Sequence, residues 1–195
     1  MSRFDKQLKF LIEIDKMKTV LRQTILVDKS RRENDAEHSW HFATAALVLF
    51  EHADTDRVDL ARVIKMALVH DLIEIYAGDT FAYDIQGNQS KAEREDQAAA
   101  KLFSLLPKDQ AAEIEQLWRE FDKMETPDAQ YAAAIDRLQP FINNYMTNGH
   151  TWRLHKVKRE QVYGRMDIVR TAAPGIWPFV VEVIEDAVDK GQMEF

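Results

Sequence analysis

The chain has 195 residues, 46% of them hydrophobic, which suits one compact domain able to bury a full core without covalent staples. The absence of cysteine excludes disulfides, thiolate ligands and a cysteine nucleophile, so any bound metal must be held by nitrogen and oxygen donors. A net charge of -7 argues against an extended duplex nucleic-acid footprint. No apolar run reaches the length of a membrane span, and Met1 to Phe10 is unlike a secretory leader, so the chain reads as cytoplasmic with no membrane partner.

Apolar residues recur mostly at helical spacing and no strand or hairpin signal stands out, which predicts an all-α fold of about eight helices. Leu8, Leu11 and Ile12 begin an apolar stripe toward Leu21, predicting an opening helix that ends near Arg22. Asn34 with Glu37 three residues on forms a capping-box pattern, so a second helix begins just before His38. Asp54, Thr55 and Asp56 can cap a third, whose buried face would carry Leu60, Ile64, Ala67, Leu68 and Asp71. Gly78 and the stretch from Thr80 to Ser90, with Gly87 and Asn88, read as a long loop. Further helices are expected from Lys91 to Leu106, from Asp109 to about Met124, and from Pro127, capped by Thr126, to a stop at Asn148 and Gly149. Pro140 should kink or end that helix early, and two more patterns follow over Glu160 to Ala172 and Pro178 to Lys190.

Four residues stand out as candidate ligands of a divalent cation: His38, His70, Asp71 and Asp136. Imidazole and carboxylate donors suit zinc, manganese, iron, cobalt or nickel, and donors placed on separate helices leave coordination positions open for water. A His-Asp dipeptide alone is a weak motif. Its setting strengthens it, because Met66 to Val69, Leu72, Ile73 and Ile75 surround His70, Asp71 and Glu74 with apolar side chains, where unpaired charges are costly. Helical spacing puts Glu74 near both, where it could orient or deprotonate water.

The segment Arg32 to Ser39, with Glu37, His38 and Ser39 opening a helix, resembles the first ligand motif of the HD superfamily of metal-dependent phosphohydrolases. Val69 to Glu74 resembles the defining His-Asp motif, Gly78 and Asp79 the Gly-Asp that follows, and Ala134 to Arg137 the last ligand motif. The resemblance spans roughly Phe10 to Tyr145 and is nearest to the 5′-deoxynucleotidase branch. It implies a single HD domain over 1-195, with a motif core about 10-145 and C-terminal helices over 158-190 packed on it.

By that resemblance His38, His70, Asp71 and Asp136 hold one divalent metal ion, Glu74 handles the attacking water, and Asp79 lies near the leaving 5′-oxygen or the sugar. Arg22 stands where the family carries a substrate-contacting arginine, whereas Gln23 replaces the tryptophan beside it, which loosens any preference for deoxyribose. Two-metal relatives carry extra histidines between the last two ligand motifs; this chain has none between Asp71 and Asp136, so the site reads as mononuclear. The other histidines, His41, His52, His150 and His155, and Trp118, Trp152 and Trp177, read as structural, while Arg94 stands within reach of a phosphate. The resemblance thus implies a homodimeric 5′-nucleotidase acting on a small-molecule nucleotide. Alternatives are hydrolysis of another phosphate ester, such as a triphosphate or signalling nucleotide, and a non-catalytic nucleotide-binding module.

Overall fold

The computed structural model describes residues 1–84 and 90–194, so Gly87 and Asn88 of the expected long loop lie outside the described residues. Eight helices of ten or more residues are present among them: α1 (Arg3–Ile14), α2 (Asp35–Val48), α3 (Leu60–Val69), α5 (Lys91–Phe103), α6 (Lys108–Lys123), α7 (Pro127–Met146), α9 (Arg159–Ala172) and α10 (Trp177–Asp189). Two short ones, α4 (Glu74–Ala77) and α8 (His150–Leu154), complete the α-helices. The all-α expectation holds, with one addition: β1 (Leu21–Ile25) and β2 (Arg32–Asn34) pair antiparallel as a small hairpin. None of the described helices is long and apolar enough to cross a membrane.

The hairpin corrects the reading of the N-terminal region. α1 stops at Ile14, the chain tightens into a 3-10 turn over Asp15–Thr19, and Arg22 therefore sits on a strand rather than at a helix end. The expected stripe is corrected too. Leu8, Leu11 and Ile12 are 45%, 60% and 65% exposed, while Phe10 and Met17 are buried on the opposite side against Leu102, Phe103 and Trp118. α1 thus carries two apolar faces, and the core takes the one that holds Phe10.

α2 starts as expected, with Asn34 accepting from the Glu37 backbone and Glu37 reaching back to the Asn34 backbone. α3 starts later than expected, because Asp59 rather than Asp54 or Asp56 accepts from the Ala61 and Arg62 backbone N–H groups. Its buried residues are Val63, Met66 and Ala67, and Leu68 is 53% exposed, so the predicted face was rotated by about one position. The helix also ends before Asp71. His70 to Ile73 form a turn, from which α4 restarts at Glu74.

α7 runs through Pro140 to Met146, so of the two outcomes expected there, a kink or an early end, the early end does not occur. Proline removes the N–H that would bond the carbonyl four residues back, yet Leu138, Gln139, Phe141 and Asn143 on either side are all buried, and this packing outweighs the lost bond. Its first half is lined with Ala129, Ala132, Ala133 and Ala134, all buried, small side chains that let neighbouring helices approach closely. Left-handed Asn148 and Gly149 follow the helix, where a stop was expected.

Two apolar clusters result. One joins Phe42 of α2, Met66 of α3 and Ile135 of α7 to Met166 of α9 and Ile184 of α10. The other joins Phe10, Leu72 and Ile73 to residues of α5 and α6. His70 and Asp71 fall at the seam between them, after the last buried residues of α3 and before Leu72.

Candidate metal centre and active-site cavity

Each histidine of the candidate set is oriented by a partner on its outer nitrogen. The Gln139 amide donates through Nε2 to Glu33 Oε1 at 2.8 Å, which turns its Oε1 toward His38 Nδ1 at 2.9 Å. An amide oxygen only accepts, so Nδ1 of His38 carries the proton and Nε2 presents its lone pair inward. His70 Nδ1 donates to the Ala67 carbonyl at 3.0 Å with the same consequence. The two inward nitrogens lie 3.3 Å apart.

Carboxylates close the set. Asp136 Oδ1 is 2.9 Å from His38 Nε2 and 3.5 Å from His70 Nε2, and Asp71 Oδ2 is 3.0 Å and 3.8 Å from His70 and His38 respectively. Neighbouring ligands about 2.1 Å from one cation are separated by about 3.0–3.4 Å in octahedral or tetrahedral geometry. Four of the five spacings, 2.9 to 3.5 Å, lie at or near that range and the Asp71–His38 one is longer at 3.8 Å; facing lone pairs demand a positive charge between them. In the cation-free protein a proton meets that demand: burial pulls His70 down, but Asp71 and Asp136 outweigh it and push its pKa up to about 10. Burial acts to raise both aspartates, and the imidazoles, joined at Asp71 by Arg22, hold them well below the usual carboxylate range instead.

A second layer of charge surrounds this set. Arg22 of β1 donates from Nη1 to Asp71 Oδ2 at 2.6 Å and lies 3.4 Å from Asp35 Oδ1, with only 12% of its side chain exposed. It is a buried arginine among carboxylates, held well above its usual pKa by Asp71, Asp79, Glu74 and Asp136 although burial opposes this. Burial and then the Asp71 charge raise Asp35 to about 7; burial with Asp71, Asp35 and Asp79 raises Glu74 well above its usual value. Asp79 is raised by burial and Asp71, against Arg22. Buried oxygens of Glu33, Asp35 and Glu74 have no hydrogen-bond partner. Oxygens of Asp35, Asp71 and Glu74 also converge, in a grouping that shares Asp71 with the histidines. So many half-satisfied carboxylates about one guanidinium fit a site built for a cation.

The expected residues therefore come together. His70, Asp71, Glu74, Asp79, Asp136, Arg22 and Gln23 line one cavity of about 200 Å³, with His38 fully buried behind it. Gly78, at φ +76 and ψ 150, turns the chain so that Asp79 reaches the cavity. Arg94 instead donates to Thr80 Oγ1 at 2.9 Å and to Ser90, and Lys91 of the same helix lines the cavity.

Sequence reasoning missed several contributors. Glu33 and Asp35 lay inside the first motif without a role assigned, and β2 and the start of α2 bury them at 2% and 0% exposure. Gln139 could have been found from its position three residues after Asp136 on one helix face. His41 and His155, set aside as structural, contact functional surroundings: His41 Nδ1 accepts from Gln139 at 3.0 Å, and His155 stacks on cavity-lining Phe81 at 4.2 Å. Trp118 and Trp152 are buried as expected, and Trp152 also lines the cavity.

Comparison with known proteins gives a consistent result. A crystal structure described as a predicted metal-dependent phosphohydrolase from Magnetospirillum magnetotacticum MS-1 is 48% identical, with a TM-score of 0.95 over 100% of this chain and 97% of that one. The human 5′-deoxynucleotidase HDDC2 is 29% identical over 136 residues, 69% of this chain but 65% of the relative, so the match spans just under two thirds of that protein. An HD-domain phosphohydrolase from Listeria innocua, 16% identical with a TM-score of 0.64 over 92% of each chain, shares the fold. The HD domain family matches residues 14–177, a stretch holding both histidines and both aspartates of the cluster, and the chain belongs to that family.

Proposed function

We propose that the protein is a metal-dependent phosphomonoesterase that hydrolyses nucleoside 5′-monophosphates to nucleoside and phosphate. The observation that carries this reading is the approach of Asp71 Oδ2 and Asp136 Oδ1 to the paired inward nitrogens of His38 and His70, at 2.9 to 3.8 Å, at the wall of the cavity. Support for the substrate class comes from the relatives, among them the human 5′-deoxynucleotidase and the bacterial phosphohydrolase structure.

In this reading the four residues hold a single divalent cation, which when bound supplies positive charge beside the phosphoryl oxygens and acidifies water. Arg22, anchored on Asp71, presents its guanidinium to the phosphate and neutralises charge that builds on phosphorus. Glu74 aligns the attacking water and accepts its proton, a task suited to a carboxylate with a raised pKa. Asp79, also raised, gives a proton to the 5′-oxygen as the phosphorus–oxygen bond breaks. Gln23 faces the sugar. Cytoplasmic location belongs to the same reading, as does a homodimer formed through the exposed apolar face of α1, with Phe4, Leu8, Leu11 and Ile12.

The test is a phosphate-release screen of protein reloaded with manganese, cobalt or zinc, comparing deoxyribo- and ribonucleoside 5′-monophosphates with triphosphates. Monophosphates are expected to turn over and triphosphates to be spared. Turnover of triphosphates alone would overturn the substrate assignment.

A further inference from the structure

The cavity carries two arginines that the reaction above leaves unused. Arg137 follows Asp136 on α7, Arg165 comes from α9, and both line the same cavity as Asp71, Glu74 and Asp79. The two are neighbours, because Arg137 Nη1 donates to the Arg165 backbone carbonyl at 2.9 Å and its Nη2 contacts Met124 Sδ at 3.1 Å. Those contacts fix the Arg137 guanidinium without neutralising it. Elsewhere Arg3, Arg62, Arg119 and Arg159 are each matched by a carboxylate, whereas among the described residues no carboxylate lies within ion-pair distance of Arg137 or Arg165.

Two half-buried guanidiniums on the wall of one cavity lose hydration without gaining a counter-charge, a cost that an anion bound beside them removes. Tyr83 lines the cavity as well, and burial keeps its hydroxyl above the usual phenol range, so it remains a neutral donor. Phe81, Phe141 and Trp152 line the same cavity, surfaces for a sugar or base. A simple monophosphate, held at Arg22, supplies one anion and leaves Arg137 and Arg165 without a partner.

We propose that Arg137 and Arg165 form a second anion subsite, and that the preferred substrate is a phosphomonoester bearing another phosphate or a carboxylate at the end remote from the hydrolysed group. This rests on the phosphomonoesterase reading for the reaction, though not for binding.

The experiment is an equilibrium titration, paired with phosphate release, of manganese-loaded protein with three probes: a nucleoside 5′-monophosphate, the matching 3′,5′-bisphosphate, and a phosphorylated hydroxy acid with a free carboxylate. A charge-assisted contact predicts that the wild type binds at least one doubly anionic probe about 10-fold or more tightly than the monophosphate. Arg165→Gln should bring that ratio to about one, and Arg165→Lys should keep part of it, in variants whose melting temperatures match the wild type. Which probe gains more identifies the second group. A wild-type ratio near one for both, or a ratio that survives Arg165→Gln, overturns the subsite. Tight, Arg165-dependent binding without phosphate release would instead retain the subsite and overturn the reaction.

Discussion

Gln139 fixes His38 through a side chain, where His70 uses the backbone of its own helix, and the two supports differ in how easily they are lost. Gln139→Leu removes the acceptor for His38 Nδ1 and leaves Glu33 without its donor. Partners of this kind are worth about 10- to 100-fold in metal affinity. Cation affinity measured by competition with a chelator should therefore fall by about that factor, with the fold retained; unchanged affinity would show that His38 is oriented by something else.

Protons and a cation compete for the same residues, which sets the pH dependence of stability. Asp35, raised from 3.8 to about 7, contributes stability that is present below its unfolded value and lost as pH rises toward 7. His70, raised from 6.5 to about 10, likewise contributes stability that is lost as pH rises through 10. Asp71 and Asp136, both lowered, contribute stability that is lost in acid, below the usual carboxylate range. The cation-free protein should thus melt at a higher temperature at about pH 5 than at about pH 9, and added manganese should raise the melting temperature most at the alkaline end. A melting temperature in chelator that climbs from pH 5 to 9 would contradict the assigned shifts.

At the scale of elements, the turn at Gly78 brings Asp79 to the cavity with very little chain. Its φ of +76 with ψ of 150 lies in a region open essentially to glycine alone, and no atom lies within 4 Å of an added Cβ. Strain is then the whole cost of Gly78→Ala, about 1–3 kcal/mol. Because that strain is relieved by turning Asp79 out of the cavity, turnover should fall more than the melting temperature implies. An alanine variant with wild-type turnover would remove Asp79 from the reaction.

Gly78 with Asp79 was legible in the sequence, as were the Asn34 and Thr126 caps, the Asn148–Gly149 stop and the order of the long helices, since each depends on local chemistry. The approach of His38, His70, Asp71 and Asp136 to one another was legible because their motifs occur in order. What was not legible depends on tertiary packing. The hairpin that buries Arg22 is five residues against three, too short for alternation to show. The continuation of α7 through Pro140 depends on buried neighbours, and the inward turn of Glu33 and Asp35 depends on β2. Choosing Phe10 over Leu8, Leu11 and Ile12 as the buried face of α1 required knowing where α5 and α6 would lie.

For the whole molecule, that exposed face of α1 is the apolar surface assigned to a homodimer. Sedimentation velocity should show a dimer for the wild type and a shift toward monomer for Leu11→Arg, while a monomeric wild type would remove the assignment. The seam between the two apolar clusters explains why the site sits where it does. The turn at His70 to Ile73 joins both, while α2 and α7, which carry His38 and Asp136, pack with α3 in the first cluster, so the donors meet where that cluster runs into the turn. The most direct test of the account is the metal content and nucleoside 5′-monophosphate hydrolysis of the wild type beside Asp71→Ala. The account predicts a tightly held divalent cation and turnover in the wild type, and loss of both in the variant with a preserved helical fold. Hydrolysis by Asp71→Ala at the wild-type rate, or by wild-type protein stripped of all metal, would contradict it.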